Sequence, residues 1–260
     1  MAALLYDIAV FHNQHRIGIC NNGSYVVRAV DKSVEMSIII MEIVIMRKPN
    51  IEKTELISRL KKKFQTNEPI FTEEILATWS EYSRPRVFQL LKEFCENGAI
   101  VKYAIGVYYL PSLSFWGASL PLSAVKVAEK RYLQTNGQVF GYYSGLTLLN
   151  MVGLTNQVPN IREIVTVNEA TRVREVTIGK TKFLVRRAKT EITDQNASIL
   201  QILEIFNTIN QPLEKYQTDN ILALAGNRQI DGKLATKCAK YYPKRALQNL
   251  RNSEIGHVFT

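Results

Sequence analysis

At 260 residues the chain is long enough to bury a core and to divide into two domains, and with 46% hydrophobic and 22% charged residues it is not an intrinsically disordered tail. Thirty-three Lys and Arg stand against 23 Asp and Glu, a net charge of +10 that favours a polyanionic partner, nucleic acid foremost. The three cysteines, Cys20, Cys95 and Cys238, are isolated from one another, which excludes a secreted disulfide scaffold and fits a reducing cytoplasm.

The one long apolar run, SVEMSIIIMEIVIM, lies in the first 46 residues. It is shorter than the roughly 20 residues of a membrane-spanning helix and contains Glu35 and Glu42, so no membrane association is expected. It also lacks the basic start and small-residue cleavage site of a signal peptide. Met41 and Met46 precede the clearer patterning that follows. Residues 1–46 are therefore read as a leader or a mis-called start, and the functional reading rests on none of them.

From Ile51 the patterning sharpens. IEKTELISRLKKKF sets Leu56, Ile57, Leu60 and Phe64 on one helical face. After TNEP, Thr72 is placed to cap a second helix with Glu73 and Glu74 in its first turn. Ser83 is placed to cap a third, with Pro85 tolerated near its start and Val87, Leu90, Leu91 and Phe94 forming its buried stripe; ENG ends it at Gly98. AIVKY and VYYLP then read as two short strands around Ala104, Ile105 and Gly106. Three helices and a two-stranded wing over residues 47–111 predict a winged helix-turn-helix, in which the third helix enters the DNA major groove. The candidate contacts are Ser83, Arg84, Arg86, Gln89 and Lys92 on that helix and Lys102 on the wing. Eleven Lys and Arg against eight Glu give this segment only +3, so a binding face has to be locally concentrated. The same pattern also suits a solvated face or a protein-interaction module.

Further on, GYYSGLTLLNMVGLTNQVPN sets Ser144 between glycines. The strained turn that exposes a catalytic serine needs G-x-S-x-G, whereas here Gly141 lies three residues before Ser144 and Gly145 directly after it. The only histidines, His12, His15 and His257, sit at the chain ends, so no base lies near in sequence. Ser144 reads instead as the cap of a short, apolar, buried helix ended by Gly153. No phosphate-binding loop, dinucleotide fingerprint or HExxH motif occurs. The scattered cysteines and histidines make no zinc site, and no Asp lies between Asp31 and Asp194 to build a carboxylate cluster for cations. No enzyme, metal or cofactor is expected.

REIVTV reads as a strand, and residues 172–189 as a hairpin about Gly179 with Val176, Ile178, Phe183 and Val185 pointing inward. Its Arg172, Arg174, Lys180, Lys182, Arg186, Arg187 and Lys189 face Glu175 alone, predicting a basic outer face. That face fits RNA, an extended DNA footprint or steering toward an acidic target, and equally a polar face that keeps the protein soluble. ASILQILEIFNTI and GKLATKCAKYYPKRALQNLRN read as two helices. The fold expected is α+β: an N-terminal winged helix-turn-helix, then a mixed α/β domain at 112–260 with short strands over 138–190 and a helical bundle over 194–255.

GYYSGLTLLNMVGLTNQVP resembles the Y-x-S-G-x-T-A-L-N-x-L-G-L-T-T-Q-V-P signature of AbiEi-type antitoxins, the regulator half of type IV toxin-antitoxin systems. GVYYLP at 106–111, the RR at Arg186 and Arg187, and YYP at 241–243 extend the resemblance over roughly residues 50–250. It implies an autorepressor whose winged helix binds inverted repeats in double-stranded operator DNA of its own operon. It also implies that residues 112–260 counter a nucleotidyltransferase toxin, without direct contact being required. Ile105 departs from the Lys or Arg that relatives place at the wing tip. The alternative is a stand-alone winged-helix regulator with a ligand- or partner-sensing C-terminal domain.

Overall fold

The computed structural model describes residues 52–209, 213–224 and 231–256. The leader at 1–46, with His12, His15 and Cys20, lies outside the described residues, as does His257. Contacts divide the chain into Met1–Glu55 and Leu56–Thr260, and the cores below belong to the second unit. Its fold is mixed α+β.

Helix α1 runs through residues 52–63. Its Leu56 and Leu60 are fully buried, with Ile57 and Phe64 packed against the same cluster, which is the expected stripe. Strand β1 (Ile70–Phe71) leads directly into helix α2 (Thr72–Thr78). The cap falls one residue before the expected Thr72. Phe71 takes the N-cap conformation and its backbone N–H donates to the Glu74 carboxylate at 2.8 Å, while Thr72 is buried as the first helical residue. The shift has a tertiary cause: Ile70 and Phe71 pair with β3 (Val107–Tyr109), which fixes where the extended backbone ends.

Helix α3 (Arg84–Glu96) buries Val87, Leu90, Leu91 and Phe94, as its period predicts. Gly98 ends it at φ +74°, a left-handed conformation open to glycine. Strand β2 (Val101–Ala104) then folds back against β3, giving a three-stranded sheet of order β1-β3-β2. Tyr108 faces the cluster built on α1, α2 and α3, at whose centre the fully buried Trp79 and Phe94 rings sit 5.7 Å apart. Val107 and Tyr109 face the other way, into a second core shared with helix α4 (Ala124–Tyr132) and the next sheet.

A small hairpin follows, β4 (Gln134–Thr135) and β5 (Gln138–Val139), turned by Asn136 and Gly137, both at positive φ. Asn-Gly supplies the backbone freedom that a two-residue hairpin turn demands. Strands β6 (Gly141–Ser144), β7 (Ile161–Thr166), β8 (Val173–Ile178) and β9 (Thr181–Arg187) form a mixed sheet of order β6-β7-β9-β8. Helix α5 (Gly145–Met151) joins β6 to β7. One sheet face, with Tyr143, Ile164, Phe183 and Val185, packs on the second core; the other, with Tyr142 and Val165, packs on a third core built around helix α6 (Ala197–Thr208).

Helices α7 (Lys215–Ala223), α8 (Gly232–Ala239) and α9 (Lys244–Asn252) complete that third core through Ile221, Ala235, Cys238 and Leu250. The single helix expected over GKLATKCAKYYPKRALQNLRN is two. Pro243 cannot continue a helix and biases Tyr242 out of the helical region, so the chain turns there. Asp231 caps α8 by accepting from the Lys233 N–H at 2.8 Å.

Candidate nucleic-acid interface

The amphipathic stripe of α3 decides which of its residues reach solvent. With four apolar side chains turned inward at about 100° per residue, Gln89 and Lys92 stand opposite the core, and Arg84 and Arg86 flank them on either side. All four are exposed. Ser83 holds the N-cap position and is exposed, but its side chain makes no capping hydrogen bond. Arg86 Nη1 donates weakly to Gln89 Oε1 at 3.4 Å, and Lys92 approaches Glu96 only at 4.0 Å. Contacts of that length on an exposed helix hold neither side chain firmly, so both pairs can open toward a ligand.

Arg84 joins a second group. Its guanidinium lies 5.6 Å from the Phe88 ring centroid, and both line a cleft of about 750 Å³ with Lys102 of β2 and Lys130 and Arg131 of α4. Phe88, Lys130 and Arg131 were not anticipated as candidates. Phe88 is visible in the sequence as an aromatic off the apolar stripe, but α4 lies some 40 residues downstream and only tertiary packing brings it here. The cleft is not uniformly basic: Lys130 is half-buried and bonded to Glu74 at 2.7 Å. At the hairpin turn Ile105 is almost fully exposed and offers no charge.

The basic hairpin of β8 and β9 is divided by its own register. Residues directly opposite share a sheet face, so Arg174, opposite Val185, lies on the face of Val176 and Phe183. Lys182 and Arg186 lie on the other face, opposite Thr177 and Val173. Three of the cations are also neutralised: Arg174 by Glu169 at 2.7 Å, Lys182 by Glu175 at 3.0 Å and Arg186 by Glu163 at 2.6 Å. Glu163 and Glu169 lie outside the 172–189 window and are brought in by folding. Arg172, Lys180 and Arg187 remain exposed.

Ser144 occupies the N-cap position of α5 without capping it. Its Oγ is fully buried and finds no hydrogen-bond partner, and no histidine occurs among the described residues. A substrate would not reach it. The neighbouring polar residues have structural partners instead. Tyr143 donates to Glu129 of α4 at 3.0 Å, Thr147 Oγ1 accepts the Glu163 N–H at 2.9 Å, and Asn150 donates to the Thr155 carbonyl at 3.2 Å. The helix itself is less enclosed than expected: Leu148 and Leu149 are buried, but Leu146 and Met151 are exposed.

The exposed face of α3 and the cleft beside it thus offer cationic and amide donors and an aromatic ring, the groups that phosphates and base edges accept. Among the described residues no three His, Cys, Asp or Glu side chains cluster as metal ligands, and no helix is long and apolar enough to cross a membrane. No protein-family model matches the chain, and no curated protein matches it.

Proposed function

We propose that the chain is an antitoxin and transcriptional autorepressor. In this reading residues 47–111 form a winged helix-turn-helix that binds inverted repeats in its own operator, and residues 112–260 counter a nucleotidyltransferase toxin. The observation that carries the DNA half is the geometry of α3: its apolar stripe is buried while Arg84, Arg86, Gln89 and Lys92 are all exposed beside the β2–β3 hairpin. Arg86 and Gln89 would read base edges, Arg84 and Lys102 would hold phosphates, and Ser83 would offer its hydroxyl at the helix start. Catalysis, metals and cofactors have no part in it. The antitoxin half rests on the resemblance of residues 141–159 to the AbiEi signature.

Fluorescence anisotropy with a duplex from upstream of its own reading frame, against a scrambled duplex, tests the repressor. Arg86→Ala and Gln89→Ala should each weaken cognate binding by about 1–3 kcal/mol and leave scrambled binding nearly unchanged. Equal affinity for both duplexes by the parent protein would sink the operator reading. Co-expression of the adjacent reading frame with the full chain, and with residues 112–260, tests the antitoxin half by growth. A harmless neighbour, or toxicity that the full chain does not relieve, would retire it.

A further inference from the structure

The sheet face that carries Tyr142 and Arg186 does not close fully against the helices. Between β6, β9, α6 and the start of α9 it leaves a pocket of about 250 Å³. Two stretches a hundred residues apart meet there, Tyr142 of GYYSG and Tyr242 of YYP, with their hydroxyls 3.1 Å apart. The Tyr242 hydroxyl donates to the Leu200 carbonyl at 3.0 Å, so the proton between the two phenols is Tyr142's. Glu204 lies beside Tyr242 on the same wall, where burial pushes its carboxyl above the ordinary value against the pull of Arg186, Lys189 and the Tyr242 hydroxyl.

The mouth has the opposite character. Arg187 and Lys189 are exposed there; Arg187 pairs with no carboxylate among the described residues, and Lys189 makes one weak bond to the Tyr241 carbonyl at 3.4 Å. Helix α9 begins at the rim with Pro243 as its N-cap, whose ring offers no hydrogen-bond acceptor to cap the end, and with Lys244 and Arg245 but no acid in its first turn. Cations at a helix N-terminus oppose its dipole, and a bound anion would relieve both the repulsion and the uncapped N–H groups. A basic mouth over a floor of hydroxyl and carboxyl groups is polar in two ways at once.

We infer that this pocket binds a small phosphate monoester carrying hydroxyl groups, a sugar phosphate or a nucleoside monophosphate. Arg187, Lys189 and the start of α9 hold the phosphate, while Tyr142 and Glu204 hold the hydroxyls. A volume of about 250 Å³, slightly below that of ordinary ligand sites, sets the upper size. The site is separate from the exposed face of α3, and its test stands whether or not the chain binds DNA.

Isothermal titration calorimetry on the full chain uses four probes: ribose 5-phosphate, adenosine monophosphate, inorganic phosphate and ribose. Both esters should bind more tightly than inorganic phosphate, and ribose not at all. A preference between the two esters assigns the source. Arg187→Ala combined with Lys189→Ala, or each alone if the pair unfolds, should lower ester affinity roughly tenfold or more. Tyr142→Phe, or Glu204→Gln in its place, should weaken the esters toward the level of inorganic phosphate. The inference is overturned if neither ester binds, if inorganic phosphate binds as tightly as its esters, or if the Arg187 and Lys189 variants melt like the parent and bind unchanged.

Discussion

Single residues hold this fold at points where size or backbone freedom leaves no substitute. Trp79 is fully buried against Phe94, and its indole N–H donates to the Leu56 carbonyl at 3.3 Å. Trp79→Ala would leave a large cavity and remove that bond to the Leu56 carbonyl, and should cost about 3–5 kcal/mol in urea unfolding followed by circular dichroism. Gly145 is constrained differently, by a φ of +55° and by a carboxylate: a Cβ there would lie 2.2 Å from Glu163 Oε1. Gly145→Ala should cost at least about 1–2 kcal/mol for the left-handed backbone alone, and more as Glu163 is pushed from Arg186. A variant as stable as the parent would show that β6 and α5 can part freely. The Ser-Gly pair at this junction therefore owes its character to close packing, with a buried hydroxyl that nothing outside reaches.

At the scale of elements, α3 carries the two predictions that separate reading a sequence from holding a backbone. Gln89 is neutral and Lys92 is a solvated cation on the same exposed face. Lys92→Ala should weaken cognate and scrambled duplexes alike and lower the slope of log affinity against log salt by about one, while Gln89→Ala should leave the slope unchanged. Anisotropy titrations across a series of salt concentrations measure both. The helix was legible because its stripe, its proline and its glycine agree with one another. The β8–β9 hairpin was legible as two strands about Gly179, but its charge was not. Strand parity and two acids from neighbouring segments, Glu163 and Glu169, decide which face each cation takes and which of them is paired, and neither follows from a local count.

For the whole molecule, pH reads out the burial at its centre. Burial outweighs the attraction of Arg186 and Lys189 and holds Glu204 above the ordinary carboxylate value, so the folded state binds its proton more tightly than the unfolded chain. Stability from this group is complete below about pH 4.3 and is lost as pH rises through the folded value. Glu204→Gln should therefore match the parent in acid and exceed it near neutrality, compared by urea unfolding at each pH. Tyr142, Tyr143 and Tyr242 are also pushed up, burial being the main cause in each, with Glu129 adding to the effect at Tyr143. Their contribution disappears in alkali. Above about pH 10 the unfolded chain ionises first, so the share of phenolate absorbance that these three tyrosines contribute should appear together with loss of helix signal rather than before it.

The sequence alone determined the elements whose information is local: the stripes of α1 and α3, the wing-like hairpin, the strand before residue 167 and the turn at Gly179. Each rests on a period of 3.6 or 2 and on residues that end it. The Asn136-Gly137 hairpin was equally local and was overlooked. What only the tertiary structure decided depends on chains brought together from far apart. Pairing of β1 with β3 moved the α2 cap to Phe71, and packing brought Tyr242 to Tyr142, whereas the split of the last helix at Pro243 was local and overlooked like the hairpin. Folding also set α4 beside α3 and aimed Val107 and Tyr109 away from Tyr108 into a second core. The physical reason is range: propensity and capping act over one or two turns, whereas pairing, burial and charge compensation act between residues that the chain order keeps apart.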